Sequence, residues 1–207
     1  QKWLNLSISG LRISELVSYK SELENCRFTT NEIKNKQEII FQDLQKEISR
    51  LMSFRDDLDK EIKSCEESNS LRSIINDIRR LESRFDDEKS CQILSQALNC
   101  AEALVETFTV FEKYQKENYT NPYHVELKVR EMKTLLNSHE ALFSVNQKTK
   151  LKAILKGAIK FKDELEEKLG KEELERLDKQ TLRGFSVEDL SKFCYKDLKA
   201  TKAWLEK

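Results

Sequence analysis

Apolar residues recur at helical spacing along nearly the whole chain, and the longest such run lies between Ser70 and Lys116. Leu71, Ile74, Ile75, Ile78, Leu81 and Phe85 make up one set. Leu94, Leu98, Ala101, Leu104, Val105, Phe108 and Phe111 make up a second. Neither proline nor glycine interrupts them. Between the two sets, Asp86-Asp87-Glu88-Lys89-Ser90 is polar for more than a turn. The pattern predicts one uninterrupted helix, on the order of 70 Å long at about 1.5 Å per residue. Such a helix would be bare in its middle and would feed a separate core at each end.

The flanking segments supply partners. A first helix over 2–25 carries Trp3, Leu4, Leu6, Ile8, Leu11, Leu16 and Leu23, weakened but not broken at Gly10. The next start is marked by Phe28-Thr29-Thr30-Asn31-Glu32-Ile33. Thr29 suits an N-cap, Glu32 can reach back to it, and Phe28 and Ile33 form a hydrophobic staple. From about Thr30 to Cys65, a near-heptad stripe runs through Ile33, Ile40, Phe41, Leu44, Ile48, Leu51, Leu58 and Ile62.

Beyond the long helix, Asn121 suits an N-cap and Pro122 the first helical position, where its missing N–H costs nothing. A fourth helix then runs to about Gly170 through Val125, Val129, Met132, Leu136, His139, Phe143, Leu151, Ile154, Ile159 and Leu165. Residues 171–180 are helical in character but charged, and Arg183-Gly184 interrupts them. Ser186 restarts a last helix, with Phe185 and Leu190 as its staple and Phe193, Leu198 and Trp204 along its stripe.

Each half thus supplies three apolar helical segments. The predicted fold class is all-α: two tandem three-helix bundles, residues 1–88 and 89–207, sharing one continuous long helix. Composition agrees. Four glycines and one proline leave few helix breakers, and 38% apolar with 36% charged residues contrasts with about 45–50% and 25% in average globular domains. Long, thin helices that expose much surface account for that excess of charge.

Charge narrows the partners. Thirty-seven basic residues balance 37 acidic ones, so no global field draws the chain to nucleic acid or to an anionic membrane. No apolar run approaches the ~20 residues that span a bilayer, so no direct membrane insertion is expected of this fragment. The start at Gln1 reads as an excised piece of a larger protein. Five scattered cysteines, without a C-x-x-C pair, read as reduced thiols of a cytoplasmic protein.

The arrangement resembles tandem spectrin repeats, in which the third helix of one bundle continues as the first helix of the next. In that family an aromatic residue on the first helix is followed, at a characteristic interval, by a Leu-Leu-x-x-His-Glu-like stretch on the second. Here Phe111 precedes Leu135-Leu136-Asn137-Ser138-His139-Glu140-Ala141-Leu142 by a similar interval. Phe85 sits where the family often has a large apolar residue on the third helix, and Trp204 is its counterpart in the second repeat. Phe replaces the usual Trp at 111, and the first repeat lacks the His-Glu match. Divergent repeats of this kind resemble those of nesprins and other giant cytoskeletal linkers. The resemblance implies a role at the actin cytoskeleton or the outer nuclear envelope.

Catalytic chemistry finds little support. The two histidines, His124 and His139, stand apart, and His139 falls on an apolar stripe, where a core role is favoured. The sequence has no Gly-rich phosphate loop, no G-x-S-x-G, no H-E-x-x-H and no Cys/His spacing suited to a metal. A non-enzyme without metal or cofactor is expected.

Three stretches are candidates for docking another protein. Lys148–Lys162 places six lysines around Leu151, Ile154, Leu155, Ile159 and Phe161, a basic amphipathic helix on which Lys152, Lys156 and Lys160 suit an acidic partner, an anionic lipid surface or calmodulin, or else, given the acidic stretch that follows, form the solvated face of a charge-alternating helix. Tyr114, three residues beyond Phe111, lies near a helix end, where an aromatic ring can project toward a partner. Asp86, Asp87 and Glu88 form the bare junction. The charged stretch 166–186 is either a long loop or a further binding segment. The expected function is a monomeric, rod-like spacer that docks a cytoskeletal or actin-associated protein. The alternatives are a homodimeric coiled-coil tether and a BAR-like membrane-binding helical dimer.

Overall fold

The computed structural model describes residues 7–26 and 31–169, apart from the side chain of Glu32. Among the described residues all regular structure is helical, with no strand. The α-helices are α1 (Ile13–Asn25), α2 (Asn31–Ser64), α3 (Ser68–Leu81), α4 (Glu88–Lys116), α5 (Pro122–Ser138) and α6 (Val145–Lys168), and they pack in pairs: α1 with α2, α3 with α4, α5 with α6. The signals placed at Trp3, Leu4 and Leu6, at Phe28, Thr29 and the Glu32 side chain, at 170–186 and in the last helix with Trp204 fall outside the described residues.

Where the expected starts lie among the described residues, cap chemistry explains them. Asn121 Oδ1 accepts from the Tyr123 N–H at 2.9 Å, and Pro122 opens α5. That is the N-cap and first-position proline the sequence signals. Helix α2 is close to its predicted length, and Leu44, Leu51, Leu58 and Ile62 of its stripe are buried.

The uninterrupted helix over 70–116 does not form. The chain leaves α3 at Leu81, makes a single 3₁₀ turn over Glu82–Arg84, passes through extended Phe85 and re-enters a helix at Glu88. Helices α3 and α4 then run antiparallel. Arg79 on α3 pairs with Glu102 on α4 at 2.7 Å, while Arg72, two turns earlier, reaches Thr109 at 3.2 Å. Folding back costs one turn and lets both helices bury apolar faces in the same core, whereas a straight helix would leave its middle unpacked. Phe85 therefore sits in a turn rather than on a third helix, and it is only 4% exposed.

Two other expected helices are also divided. The first is a 3₁₀ turn at Ile8–Gly10, followed by extended Leu11 and Arg12 before α1. The fourth ends at Ser138 and restarts at Val145. His139 therefore lies in a turn and not on the apolar stripe of a helix, so the Leu-Leu-x-x-His-Glu stretch straddles a helix end.

Two compact units emerge among the described residues: one holds residues 7–109 and 139–147, the other 110–138 and 148–169. The expected division lay at residues 88 and 89. The first unit has a core built from Ile13, Leu16 and Leu23 of α1, Leu44, Leu51 and Leu58 of α2, Ile78 and Leu81 of α3, with Phe85 and Leu94. Four helices contribute to it, rather than three. In the second unit Phe111, Val125, Val129, Met132, Leu136, Leu151 and Ala158 are buried, drawn from the end of α4 and from α5 and α6.

Candidate functional site

Local sequence places the docking candidates on three different elements. On α6, Leu151 and Ala158 are buried while Lys152, Lys156 and Lys160 are exposed. Steps of four residues turn about 400°, so the three lysines keep to one side of the helix. Lys160 pairs with Glu164 at 3.3 Å, and Lys162 with Glu166 at 3.3 Å and Asp163 at 3.8 Å. The acidic stretch that follows thus compensates the end of the row. Lys152 and Lys156 make no ion pair among the described residues.

Asp86, Asp87 and Glu88 are exposed, and two of them have structural work. Asp87 is the N-cap of α4: its Oδ1 accepts from the Ser90 N–H at 2.8 Å, and its carbonyl accepts the first helical hydrogen bond from Cys91 at 3.0 Å. The bonds from Ser90 hold its carboxyl below the ordinary carboxylate range. Asp86 accepts from both the backbone N–H and the hydroxyl of Ser14 at the start of α1. Glu88 accepts from Gln92 one turn on, at 3.3 Å.

The same turn contains a residue that sequence reasoning passed over. Arg84 is 7% exposed. Its Nε donates to the Leu11 carbonyl at 2.6 Å, Nη2 to the Ile8 carbonyl at 3.2 Å and Nη1 to Glu47 Oε1 at 2.8 Å. A buried guanidinium needs acceptors on every side, and the extended backbone before α1 supplies two of them. Those bonds give the division of the first helix a physical reason. Glu47 also accepts from Arg50 at 2.7 and 2.9 Å. The Arg50 bonds, then Arg84, outweigh burial and hold the Glu47 carboxyl at about 2. Arg55 of α2 completes the network by donating to the buried Ser90 hydroxyl at 2.9 Å. A charged residue in the α2 stripe, between Leu44 and Leu51, was the available signal.

At the α5–α6 turn the bonds to α2 come from a neutral side chain. Ser144 and Gln147 form a reciprocal cap at the start of α6: Gln147 Oε1 accepts from the Ser144 N–H at 2.8 Å, and Ser144 Oγ from the Gln147 N–H at 3.3 Å. The fully buried Gln147 amide then donates to the carbonyls of Ile62 and Cys65 at the end of α2, at 2.9 and 2.7 Å. His139 Nδ1 lies 3.0 Å from the Thr107 hydroxyl, which itself donates to the Ala103 carbonyl at 3.2 Å. That leaves the hydroxyl oxygen to accept from the imidazole. The ring is a half-buried, satisfied histidine.

Tyr114 is half-buried, stacked on Tyr119 with ring centroids 5.1 Å apart and planes inclined by 22°. The Tyr119 hydroxyl donates to the Glu117 carboxylate. Burial, then that bond, raises the Tyr119 phenol, while the hydrogen bond lowers Glu117. These three residues, with Gln115, Asn118 and Phe161, line a cleft of about 230 Å³ in the second unit. Glu117 and Tyr119 follow Tyr114 directly in the chain, whereas the place of Phe161 beside them depends on how α6 packs, which no local pattern signals.

Among the described residues no three His, Cys, Asp or Glu side chains are grouped as a metal site would need, and no helix is long and apolar enough to cross a membrane. Burial raises the Cys65 and Cys100 thiols, which keeps them protonated and poorly nucleophilic. Compared with family models, with curated proteins and with solved structures, the chain finds no match in any of the three.

Proposed function

We propose that the chain is a structural and interaction element of a larger cytoplasmic linker or scaffold, and that it docks an acidic protein through α6. The lysine row carries this reading. Lys152, Lys156 and Lys160 are exposed on one side of a helix whose other side is buried, and two of them lack a compensating acid among the described residues. Uncompensated charge of one sign on a rigid helix is held ready for a partner of opposite sign, and desolvation at an interface strengthens such pairs.

The spectrin-like resemblance makes that partner cytoskeletal, with actin or a nuclear-envelope linkage as its setting. Its support is Phe111, 1% exposed on α4. No continuous helix over 70–116 is there to present a docking face. Presentation comes instead from helices that fold back on each other, as α3 and α4 do.

Co-sedimentation with purified filamentous actin tests it. The chain should pellet with filaments at low ionic strength and less so as salt rises. Reversing Lys152, Lys156 and Lys160 to Glu should weaken binding roughly tenfold, at ~0.5 kcal/mol for each lost exposed pair. Equal sedimentation of the wild type and the triple variant at every salt concentration would overturn the lysine-row reading. Failure of the wild type to pellet at low salt would overturn actin as the partner.

A further inference from the structure

We propose that the cleft lined by Tyr114, Glu117, Tyr119 and Phe161 receives the guanidinium of an arginine side chain presented by a partner protein. The lysine row asks for an acidic surface, whereas this cleft asks for a basic one, so the two proposals stand or fall separately. Size comes first. At about 230 Å³ the cleft falls below the roughly 300–1,000 Å³ of pockets that hold cofactors or drug-sized ligands. A single side chain fits that scale.

The lining chooses which one. Two tyrosine rings and one phenylalanine offer π faces, Glu117 offers a carboxylate, and the exposed Gln115 and Asn118 add amide carbonyls. A guanidinium is planar, carries five N–H donors and no acceptor, stacks on aromatic faces and forks onto carboxylates. An ammonium matches the charge but neither the plane nor the fork. The Tyr119 hydroxyl, by donating to Glu117, leaves its ring more electron-rich, and the face of such a ring attracts a cation more strongly.

Among the described residues Lys113 and Lys128 both act on Glu117, and Lys128 is itself paired with Glu131 at 2.7 Å. Lys113 lies 3.6 Å from Glu117, but its side chain is 64% exposed, and exposed i,i+4 pairs are weak enough to be exchanged. An incoming guanidinium that also stacks displaces it. Tyr114 and Tyr119 already stack on each other, so the rings are held in place before a ligand arrives, which lowers the entropic cost of binding.

The test titrates the isotope-labelled full chain with a capped Gly-Arg-Gly tripeptide and, separately, with its citrulline counterpart, which keeps the shape and loses the charge. Amide resonances of residues 114–119 and of Phe161 should shift saturably with the arginine peptide, and the citrulline peptide should bind at least about fivefold more weakly. Glu117→Gln, at an exposed position, should cost a similar factor. Tyr119→Ala should abolish the shifts, with helicity checked by circular dichroism. Equal binding of both peptides, unchanged affinity in Glu117→Gln, or shifts located elsewhere in the chain would each overturn the proposal.

Discussion

The α3–α4 turn and the α5–α6 turn both close onto α2, the first through guanidinium bonds and the second through a buried amide. At the first, Arg84 reaches Glu47 and Arg55 reaches Ser90, so charged groups carry the contact. At the second, the Gln147 amide reaches the last carbonyls of α2 and a serine hydroxyl completes its cap, so these bonds join neutral groups. The comparison teaches how the same task differs in vulnerability. A buried ion that loses its partner is stranded at a cost of several kcal/mol, whereas a neutral amide that is lost leaves carbonyls short of a donor at roughly one to three. The charged closure also responds to acid.

The largest effect should come from Arg84→Met. That substitution fills similar volume but leaves the Leu11 carbonyl unpaired, takes one of two donors from the Ile8 carbonyl and removes one of the two cations beside Glu47. The expected loss is about 3 kcal/mol in urea unfolding of the first unit. A loss below about 1 kcal/mol would mean that the turn is held by Phe85 and Leu81 packing alone. Gln147→Leu should follow, at about 2 kcal/mol, since three hydrogen bonds go while the apolar bulk stays. Gln147→Glu sharpens the contrast, because it sets a carboxylate against two backbone carbonyls. Its penalty should exceed that of Gln147→Leu at neutral pH and shrink as the new acid is protonated.

Acid separates the two closures directly. Glu47 is held at about 2 against an ordinary value of 4.5, so between those values the folded chain binds fewer protons than the unfolded chain. The stabilisation is complete above about pH 4.5 and is lost as pH falls through 2. After allowance for solvent screening this amounts to about 1 kcal/mol. Thermal unfolding midpoints of the wild type should therefore fall across that interval, while those of Glu47→Gln start lower at pH 7 and decline less. Parallel pH profiles for the two proteins would remove Glu47 from the account.

Both turns also show how far the chain can be read in advance. Periodicity reports which residues are buried but not whether a helix continues, because Leu81 and Phe85 keep helical spacing while the backbone between them leaves the helix. Asn121-Pro122 was legible because cap and first position are adjacent residues acting locally. Ser144-Val145-Asn146-Gln147 carries an equally local cap signal and was readable in principle, though it sits inside a run of apolar residues that suggested continuity. The Asp87 cap lay hidden in a polar run that suggested a bare surface. Arg84 with Glu47, and Tyr119 with Phe161, are pairings between distant segments. No spacing rule reaches them. The lysine row of the candidate docking face was legible; the aromatic cleft around Tyr114 was legible only for that one residue.

The smallest predicted effect discriminates best between a folded turn and a continuous helix. Glu88 is the first residue of α4, directly after the Asp87 cap. A proline there gives up an N–H that the helix does not use, and its fixed φ suits a first helical position. Its steric demand on the preceding residue favours the extended backbone that an N-cap adopts. Glu88→Pro should therefore change stability by no more than about 0.5 kcal/mol and leave far-UV helicity intact. Were 70–116 one helix, the same proline would lie near its centre. There it would delete a backbone hydrogen bond and clash with the preceding turn, at a cost of about 3 kcal/mol or more. A gap of that size lies well outside the error of a denaturation curve, so one variant decides between the two backbones.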